Sequence, residues 1–328
     1  MRESRVVIIG AGPSGLAAAA CLKRRGVEAL VLDRTGQPGG AYARMYGGVL
    51  LASPTRMNGL PGVEQGLAAE YATAAEYAAY LRRYAEQCSL VPERAEVLRV
   101  ERGFVVHTDS ERIAARAVVV ATGMWDFPVR LPGVSHASEW QGPKGLRSLL
   151  VIGGGTSAVE LATEAAQAGV QVTISSRSPV RPLPRKILGV EVHDVAVLLE
   201  KIPAALSPGY CDSPPRLNGS DDGFSRLKAE GRIVVRGPAT LQGRSALFQD
   251  GTRLEADAMV AATGYRFDTP FLPPEVRRSK AGHLKTKHGE SVSWPGLFVL
   301  GSPCAAGLDS QYLRGIARDA ERLAARLS

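Results

Sequence analysis

The chain has 328 residues, enough for two domains that each bury a core, and its 45% hydrophobic content is ordinary for a globular protein. No apolar run approaches the roughly 20 residues that a membrane span needs, and the opening MRESR leads directly into a strand. We therefore expect neither a membrane span nor a signal peptide. The four cysteines contain no C-x-x-C pair, which argues against zinc and against a thioredoxin-reductase-type redox centre, and no metal site is expected. This spacing predicts a reducing, cytoplasmic environment.

The net charge is +8, and 32 of the 40 basic residues are arginines. A base-composition bias of the genome would give such an excess, and so would selection for anionic ligands such as dinucleotides or for an acidic electron-transfer partner. Dense basic runs with interleaved aromatics are absent from the sequence, so nucleic acid is not an expected partner. The five histidines show no H-E-x-x-H motif and no spacing typical of a Ser-His-Asp triad, which leaves hydrolysis unsupported.

The first predicted elements form a βαβ unit of about 30 residues around a glycine-rich turn. RVVIIG is a buried strand, SGLAAAACLKRRG a helix that Gly26 ends, and VEALVLD the next strand. Gly10 allows the tight turn, Gly12 lets the backbone approach a pyrophosphate, and Gly15 lets helix and strand pack closely. Asp33 ends the second strand, where a carboxylate accepts hydrogen bonds from ribose hydroxyls, as in FAD or NAD. The predicted contacts of this unit are Gly10, Gly12, Pro13, Ser14, Gly15, Asp33 and Arg34.

A second unit repeats this plan 143 residues later, with SLLVIG, TSAVELATEAAQAG and VQVTISSR as strand, helix and strand. Its strand end offers Ser175, Ser176 and Arg177 in place of the aspartate, a set that favours the 2′-phosphate of NADPH. A solvated cation at a strand end is the alternative interpretation of Arg177. Two different dinucleotides on one chain allow hydride transfer from a nicotinamide to a flavin. The predicted contacts here are Gly153, Gly155, Thr156, Ser157, Ala158, Ser176 and Arg177.

The order of these motifs resembles the two-dinucleotide-binding-domain flavoproteins and, within them, the flavin-containing monooxygenases of the YUCCA type. QPGGAY, the two A-T-G segments in VVVATG and VAATGY, and PGLFVLG carry the resemblance over nearly the whole chain. It implies an α/β fold in which an NADPH-binding Rossmann-like domain, residues 145–266, is inserted into a discontinuous FAD-binding domain, residues 1–125 and 267–328. The C-terminal helix is expected to start at Asp309–Gln311, with its amides facing the flavin. The resemblance adds to the cofactor site Gly40, Tyr42, Val97, Ala121, Thr122, Gly123, Thr263, Gly264, Gly301, Asp309 and Gln311.

Several segments depart from the family pattern. The F-x-G-x-x-x-H motif is replaced by LPGVSHASEW, so that His136 and Trp140 either line the domain junction or belong to an ordinary linker. Ser53 and Pro54 stand where the family often places an asparagine beside the flavin, and Asn58 is out of register. The Pro-, Gly- and Asp-rich segment 207–223 is predicted to be a surface loop over the NADPH cleft.

The sequence therefore predicts an FAD-dependent, NADPH-oxidising enzyme, monooxygenase-like, that acts on a small nitrogen- or sulfur-containing substrate. Catalytic side chains are not assigned. One alternative is a reductase that resembles bacillithiol-disulfide or thioredoxin reductases and passes electrons to a disulfide or a carrier protein, although Ser14 stands where the bacillithiol branch has cysteine. Cys304 is the cysteine expected near the flavin, and we interpret it as a small buried hydrophobe. A non-catalytic dinucleotide sensor is a third class, and a homodimer is left open.

Overall fold

The protein is described from a computed structural model, and the structure describes residues 1–45, 48–200, 211 and 218–328. The chain divides into two compact units. Unit 1 comprises Met1–Trp125, Ala196–Pro214 and Phe267–Ser328, and unit 2 comprises Asp126–Val195 and Pro215–Arg266. The stretch Ala196–Pro214, which the sequence placed with the second domain, is thus grouped with unit 1.

The regular elements within the described residues are numbered here in chain order. The helices are α1 (Pro13–Arg24), α2 (Ala74–Gln87), α3 (Thr156–Gln167), α4 (Val192–Glu200), α5 (Phe224–Ala229) and α6 (Leu313–Leu327). The strands are β1 (Arg2–Ile9), β2 (Ala29–Asp33), β3 (Glu93–Arg94), β4 (Val97–Glu101), β5 (Val105–Thr108), β6 (Arg112–Val120), β7 (Ser135–His136), β8 (Ser148–Ile152), β9 (Gln171–Ser175), β10 (Lys186–Ile187), β11 (Val190–Glu191), β12 (Ile233–Arg236), β13 (Ala239–Gln242), β14 (Ser245–Phe248), β15 (Arg253–Glu255), β16 (Ala258–Ala261), β17 (Thr286–Lys287), β18 (Glu290–Ser291) and β19 (Leu297–Val299).

The sheet of unit 1 has a parallel centre in the order β3-β2-β1-β6-β19, and β18 and β17 add to its far edge in antiparallel pairing. Strands β4, β5 and β6 form the predicted antiparallel meander that feeds the central strand. Strand β1 ends in four buried residues because both faces of the sheet are covered. Helices α1 and α6 cover one face, where the run Leu16–Leu22 is buried in the core.

The parallel sheet of unit 2 repeats the arrangement, in the order β12-β9-β8-β16-β7. Strand β8, which leads into the second glycine loop, pairs with β9 and β16, just as β1 pairs with β2 and β6. An antiparallel sheet of β13, β14 and β15 and a hairpin of β10 and β11 lie outside it. Two sheets with this common plan confirm the predicted α/β class with two Rossmann-like units.

Helix α2 holds the neighbouring loop through three tyrosine hydroxyls. Tyr77, Tyr80 and Tyr84 recur at helical spacing and are buried on one face of the helix. The Leu60 amide donates to the Tyr80 hydroxyl over 2.7 Å, the Tyr77 hydroxyl donates to the Asn58 carbonyl over 3.1 Å, and the Tyr84 hydroxyl donates to the Pro61 carbonyl over 2.9 Å. These bonds satisfy phenols that would otherwise be costly to bury, and they fix the loop to the helix.

The start of the C-terminal helix differs from the prediction. Helix α6 begins at Leu313 with Tyr312 as its N-cap, so Asp309 and Gln311 lie in the preceding turn. The Asp309 carboxylate accepts two hydrogen bonds from the Arg318 guanidinium, of 2.7 and 2.5 Å, and this pair holds the turn outside the helix. Among the described residues, no helix is both long and apolar enough to cross a membrane.

Candidate dinucleotide-binding sites

The first glycine loop packs directly against the end of β6. Gly10 has φ +109°, and a Cβ on it would lie 2.6 Å from the Ala121 carbonyl oxygen. A Cβ on Gly15 would lie 1.9 Å from the Gly10 carbonyl oxygen, so neither position can carry a side chain. The same close approach brings Ala121 and Thr122, the start of the first A-T-G segment, to the glycine loop.

The G-G segment of QPGGAY lies against the same loop. The Gly39 amide donates to the Ala11 carbonyl over 3.0 Å, and a Cβ on Gly40 would lie 2.8 Å from the Gly12 Cα. Tyr42 follows in a short 3₁₀ helix, and its ring meets that of Tyr77 edge-on at 4.9 Å. Gly40 and Tyr42 are therefore held beside the glycine loop by backbone packing and by α2.

Asp33 is the half-buried carboxylate at the end of β2, and it shapes the turn. One oxygen accepts from the Ala11 amide at 2.9 Å, and the other accepts from the Thr35 amide and hydroxyl at 2.8 and 2.6 Å. A carboxylate has about four acceptor positions, so it retains capacity for a ribose hydroxyl. Arg34 is exposed immediately after it.

The residues around this loop fit an FAD molecule. Helix α1 begins with Gly12 as its N-cap, without a side-chain cap, so its first amides are available to a pyrophosphate. A Cβ on Gly301, just after β19, would lie 2.4 Å from the Ser14 Oγ. The hydroxyls of Thr122 and Ser302 are buried without a hydrogen-bond partner among the residues that the structure describes. Buried hydroxyls need partners, and a polar cofactor in this cradle would supply them.

The second glycine loop reproduces the first one in detail. Gly153 has φ +135°, and a Cβ on it would lie 2.1 Å from the carbonyl oxygen of Ala262, the first residue of the second A-T-G segment. Helix α3 begins after Gly155, again without a side-chain cap. Ala158, which replaces the third glycine, is fully buried. Thr263 and Gly264 follow Ala262 beside this loop, as Thr122 and Gly123 follow Ala121 in unit 1.

The strand end of the second unit carries no carboxylate. Ser176 and Asp33 both lie 23 residues after the first glycine of their loops. The Ser176 hydroxyl donates to the Ser178 carbonyl over 2.8 Å, and Arg177 is exposed and forms no ion pair with any residue that the structure describes. The expectation for Ser175 was wrong, because its buried hydroxyl bonds the Gly237 carbonyl and the Ala239 amide across the sheet.

Sequence reasoning missed two residues that lie against the second loop. The Asn218 side-chain amide donates to the Gly154 carbonyl, and a Cβ on Gly219, which has φ +83°, would lie 3.0 Å from the Thr156 Cγ2. Their only sequence signal is an Asn-Gly turn dipeptide. They belong to the predicted loop 207–223, whose residues 207–210 and 212–217 lie outside the described part of the chain.

A carboxyl group with a raised pKa lies in the same part of unit 2. Burial raises the pKa of Glu160 on α3 to about 7; the Arg185 guanidinium opposes this effect and the Asp222 carboxylate adds to it. Arg185 and Asp222 form a two-fold hydrogen-bonded ion pair with distances of 2.8 and 2.7 Å. Protonation of Glu160 therefore changes the charge beside α3 near neutral pH.

His136 and Trp140 are tied to the interior of unit 2. The His136 ring is fully buried; its Nδ1 accepts from the Ser138 amide at 3.1 Å, and its Nε2–H donates to the Gly264 carbonyl over 3.1 Å. Burial lowers the pKa of His136, in keeping with a neutral ring. The Trp140 indole donates to the Glu164 carboxylate over 2.7 Å. His136 thus supports the second A-T-G segment.

The loop around Ser53 shows why Asn58 is not a flavin contact of the family type. The Asn58 side chain is fully buried, accepts from the Ser53 hydroxyl at 2.6 Å and donates to the Ser53 carbonyl over 3.2 Å. Its amide is therefore used within the loop. Val97 lies half-buried at the start of β4, paired with Thr108, and its predicted role toward adenine stays a prediction.

The interpretation of Cys304 as a lone buried hydrophobe was wrong. Cys304 is half-buried and forms a disulfide with Cys211, and both residues belong to unit 1. Cys21 and Cys88 remain free. The sequence could not reveal the pair, because the two residues are separated by 93 positions.

The chain is similar in sequence and in fold to several oxidoreductases. It is 30% identical over 374 aligned residues to the indole-3-pyruvate monooxygenase YUCCA1 of Oryza sativa, covering 97% of this chain and 90% of that protein. It is 26% identical to an uncharacterized CzcO-like oxidoreductase of Geobacillus kaustophilus, over 97% and 96% of the two chains. The fold matches a flavin-containing monooxygenase from Stenotrophomonas maltophilia with a TM-score of 0.82, 23% identity and coverage of 100% and 98%. It also matches the bacillithiol disulfide reductase Bdr of Staphylococcus aureus with a TM-score of 0.76, 19% identity and coverage of 99% and 98%.

Residues 7–186, more than half of the chain, match the family model of the pyridine nucleotide-disulphide oxidoreductases. This range contains both glycine loops and the first A-T-G segment, the features described above. The chain belongs to the pyridine nucleotide-disulphide oxidoreductase family and is a flavin-dependent oxidoreductase homologous to the YUCCA-type monooxygenases.

Proposed function

We propose that the chain binds FAD in unit 1 and NADPH in unit 2, and that it is a monooxygenase-like enzyme acting on a small nitrogen- or sulfur-containing substrate. One observation carries the assignment of the two cofactors. The two glycine loops share the same packing against an A-T-G carbonyl, yet Asp33 in one is replaced by Ser176, followed by Arg177, in the other.

The residues of unit 1 hold the FAD. The amides at the start of α1 bind the pyrophosphate, and Asp33 accepts from the adenosine ribose. Thr122 and Ser302 provide hydroxyls that have no hydrogen-bond partner within the described part of the chain. When bound, FAD accepts a hydride and allows oxygen chemistry that side chains alone do not perform.

The residues of unit 2 select the nicotinamide cofactor. A carboxylate at the strand end would repel a 2′-phosphate, and Ser176 removes that repulsion. The exposed Arg177 guanidinium supplies a charge-assisted contact to the phosphate. The amides at the start of α3 receive the pyrophosphate, in the same way as those of α1.

Support for monooxygenation comes from the curated relatives, among which five plant proteins carry the name indole-3-pyruvate monooxygenase or probable indole-3-pyruvate monooxygenase. We therefore propose tertiary amines, thioethers and 2-oxo acids as the first substrates to test. Oxygen activated by a flavin reacts as an electrophile with soft nucleophiles and as a nucleophile with carbonyl compounds.

The test measures how NADPH oxidation is coupled to substrate. Purified yellow protein is mixed with NADPH and air, and hydrogen peroxide release is compared with NADPH consumed, with and without each candidate compound. We expect a substrate to lower the peroxide yield and to appear as its oxygenated product with one ¹⁸O atom from ¹⁸O₂. If every compound leaves peroxide equal to NADPH consumed, monooxygenation is the wrong reaction.

A reductase is the second candidate, because the structure contains a disulfide in unit 1. This candidate requires NADPH to open the disulfide under nitrogen without another reductant. If NADPH reduces the flavin of protein that has both cofactors bound and the disulfide stays intact, the reductase function is excluded. A chain that binds both dinucleotides but reduces its flavin only over hours would instead be a sensor.

A further inference from the structure

Two segments of unit 2, residues 181–185 and 218–222, run side by side next to the second glycine loop, and we name them together the strap. Both segments lie within the described part of the chain. The Leu183 amide donates to the Gly219 carbonyl over 3.1 Å, and the Asp221 amide donates to the Leu183 carbonyl over 2.8 Å. The strap is therefore held by backbone hydrogen bonds of its own.

The side-chain amide of Asn218 joins the strap to two parts of the dinucleotide site. Its Nδ2 donates to the Gly154 carbonyl in the glycine loop, and its Oδ1 accepts from the Arg181 backbone amide at 3.1 Å. Arg181 ends the stretch that begins at the strand end with the serine and arginine expected at the 2′-phosphate, and we name residues 176–181 the phosphate segment. Asparagine provides a donor and an acceptor on one short side chain, whereas an ionised aspartate of the same size lacks the donor.

Gly154 is the point at which the loop and the phosphate segment meet. A Cβ on Gly154 would collide with the Ser176 hydroxyl and would lie 3.2 Å from the Val180 Cγ2, and Val180 is buried. The phosphate segment thus packs on this glycine at Ser176 and at Val180. Asn218 ties the end of the segment, at Arg181, to the carbonyl of the same glycine.

We propose that Asn218 is a positioning residue of the NADPH site, which couples binding of the 2′-phosphate by the phosphate segment to binding of the pyrophosphate by the glycine loop. This inference rests on the proposed binding of NADPH in unit 2. Each half of the site loses backbone freedom when it holds its phosphate. Because Asn218 connects the halves, the half that binds first orders the other, which then binds at a smaller cost in entropy. NADP⁺ gains from this coupling, whereas NAD⁺ has no 2′-phosphate through which to use it.

The strap does not need the Asn218 side chain for its own structure. The backbone bonds between Leu183 and the second segment do not involve this side chain. The ion pair of Arg185 with Asp222 joins the other end of the two segments. Asn218→Ala therefore removes the connection between the halves of the site and leaves the strap in place, which makes it a specific test.

The first experiment is a double-mutant cycle of Asn218→Ala and Arg177→Ala on FAD-loaded protein, titrated calorimetrically with NADP⁺ and NAD⁺. Loss of one neutral hydrogen bond changes an affinity by about 2- to 12-fold. We expect Asn218→Ala to weaken NADP⁺ binding by about tenfold and NAD⁺ binding by about threefold. The tenfold effect expected for Arg177→Ala should shrink to about threefold when Asn218 is already alanine.

Gln171→Ala is the matched control. The Gln171 side-chain amide also donates to a backbone carbonyl within unit 2, that of Gly231 over 2.9 Å, but it lies at the amino end of β9, away from the glycine loop. This variant should leave both affinities and the Arg177 effect unchanged. An Arg177 effect of the same size with and without Asn218, or a Gln171→Ala loss as large as that of Asn218→Ala, would overturn the proposal.

The second experiment measures the coupling by hydrogen exchange with adenosine 2′-phosphate, which carries the 2′-phosphate and lacks the pyrophosphate. Coupling is reciprocal, so saturating nucleotide should slow exchange in the phosphate segment and, by about threefold, in residues 153–156 of the loop. The loop effect should vanish in Asn218→Ala. Protection confined to the phosphate segment of the wild type would overturn the coupling and leave the NADPH site standing. A wild type that binds neither NADP⁺ nor adenosine 2′-phosphate would overturn the site and the coupling together.

Discussion

The choice of NADPH over NADH is expected to depend on two neighbouring side chains, Ser176 and Arg177. A charge-assisted hydrogen bond contributes about 1.5–3 kcal/mol. The lower end applies here, because Arg177 is exposed and water screens it. Arg177→Ala should therefore weaken NADP⁺ binding by about tenfold and leave NAD⁺ binding nearly unchanged.

Ser176→Asp restores the carboxylate that unit 1 carries at the matching position. Two like unit charges about 4 Å apart repel each other by about 1 kcal/mol in a water-like medium. A doubly charged 2′-phosphate doubles this cost to about 2 kcal/mol, or a loss of about 30-fold in NADP⁺ affinity. The same carboxylate can accept from the ribose hydroxyl of NAD⁺, so the preference should reverse.

Both variants are assayed by calorimetric titration of the FAD-loaded protein with NADP⁺ and NAD⁺ at low and high salt. Arg253→Ala, on β15 of the same unit, removes an equal exposed charge and serves as the control. The Arg177 effect should shrink at high salt. If Arg177→Ala keeps the wild-type NADP⁺ to NAD⁺ ratio within twofold, the phosphate is held elsewhere, with Arg181, Arg185 or Lys186 as candidates.

Three further outcomes follow from the geometry. Gly10→Ala should yield protein with little bound FAD, whereas Gly153→Ala should keep FAD and lose reduction by NADPH, because each added Cβ would meet an A-T-G carbonyl oxygen at 2.6 or 2.1 Å; equal FAD loss in both, by absorbance, would contradict this. Gly219→Ala should weaken NADP⁺ binding at least tenfold in the same titration without changing FAD content, because its Cβ would press on Thr156 and its φ is +83°; unchanged affinity would remove Gly219 from the site. Glu160 has its pKa raised from 4.5 to about 7, so its contribution to folding is lost as the pH rises through this window, by up to about 3 kcal/mol. Glu160→Gln should flatten the fall in urea midpoint between pH 5 and pH 8, and a fall as steep as that of the wild type would refute this assignment.

The features that could be predicted from sequence are local ones. Each glycine loop joins a strand to the helix that comes next, so the loop and both elements are close together in the sequence. Glycine is needed at Gly10 and Gly153 because of backbone contacts that the motif itself implies. The meander before the first A-T-G segment alternates with period two, and it formed as expected.

The features that could not be predicted depend on distant partners. Aspartate is a residue type that often caps the start of a helix, which is why the sequence suggested Asp309. In the structure its carboxylate instead accepts hydrogen bonds from Arg318, nine positions later, and the helix begins at Leu313. Ser175 lies at a strand end where a ligand contact is plausible, yet two backbone groups more than 60 positions away use its hydroxyl. The disulfide partner of Cys304 is likewise determined by the tertiary structure, which brings Cys211 next to it.

The tyrosine face of α2 gives the loop around Leu60 an unusual dynamic property. Its amide donates to the phenol of Tyr80 and not to a backbone carbonyl of a helix or sheet. An amide bonded in this way exchanges with solvent only when the loop separates from the helix. The exchange rate of the Leu60 amide therefore measures how often the loop separates from α2, although Leu60 itself lies outside any helix or strand. Tyr80→Phe would remove the hydrogen bond between the Leu60 amide and residue 80 and keep the ring in the core.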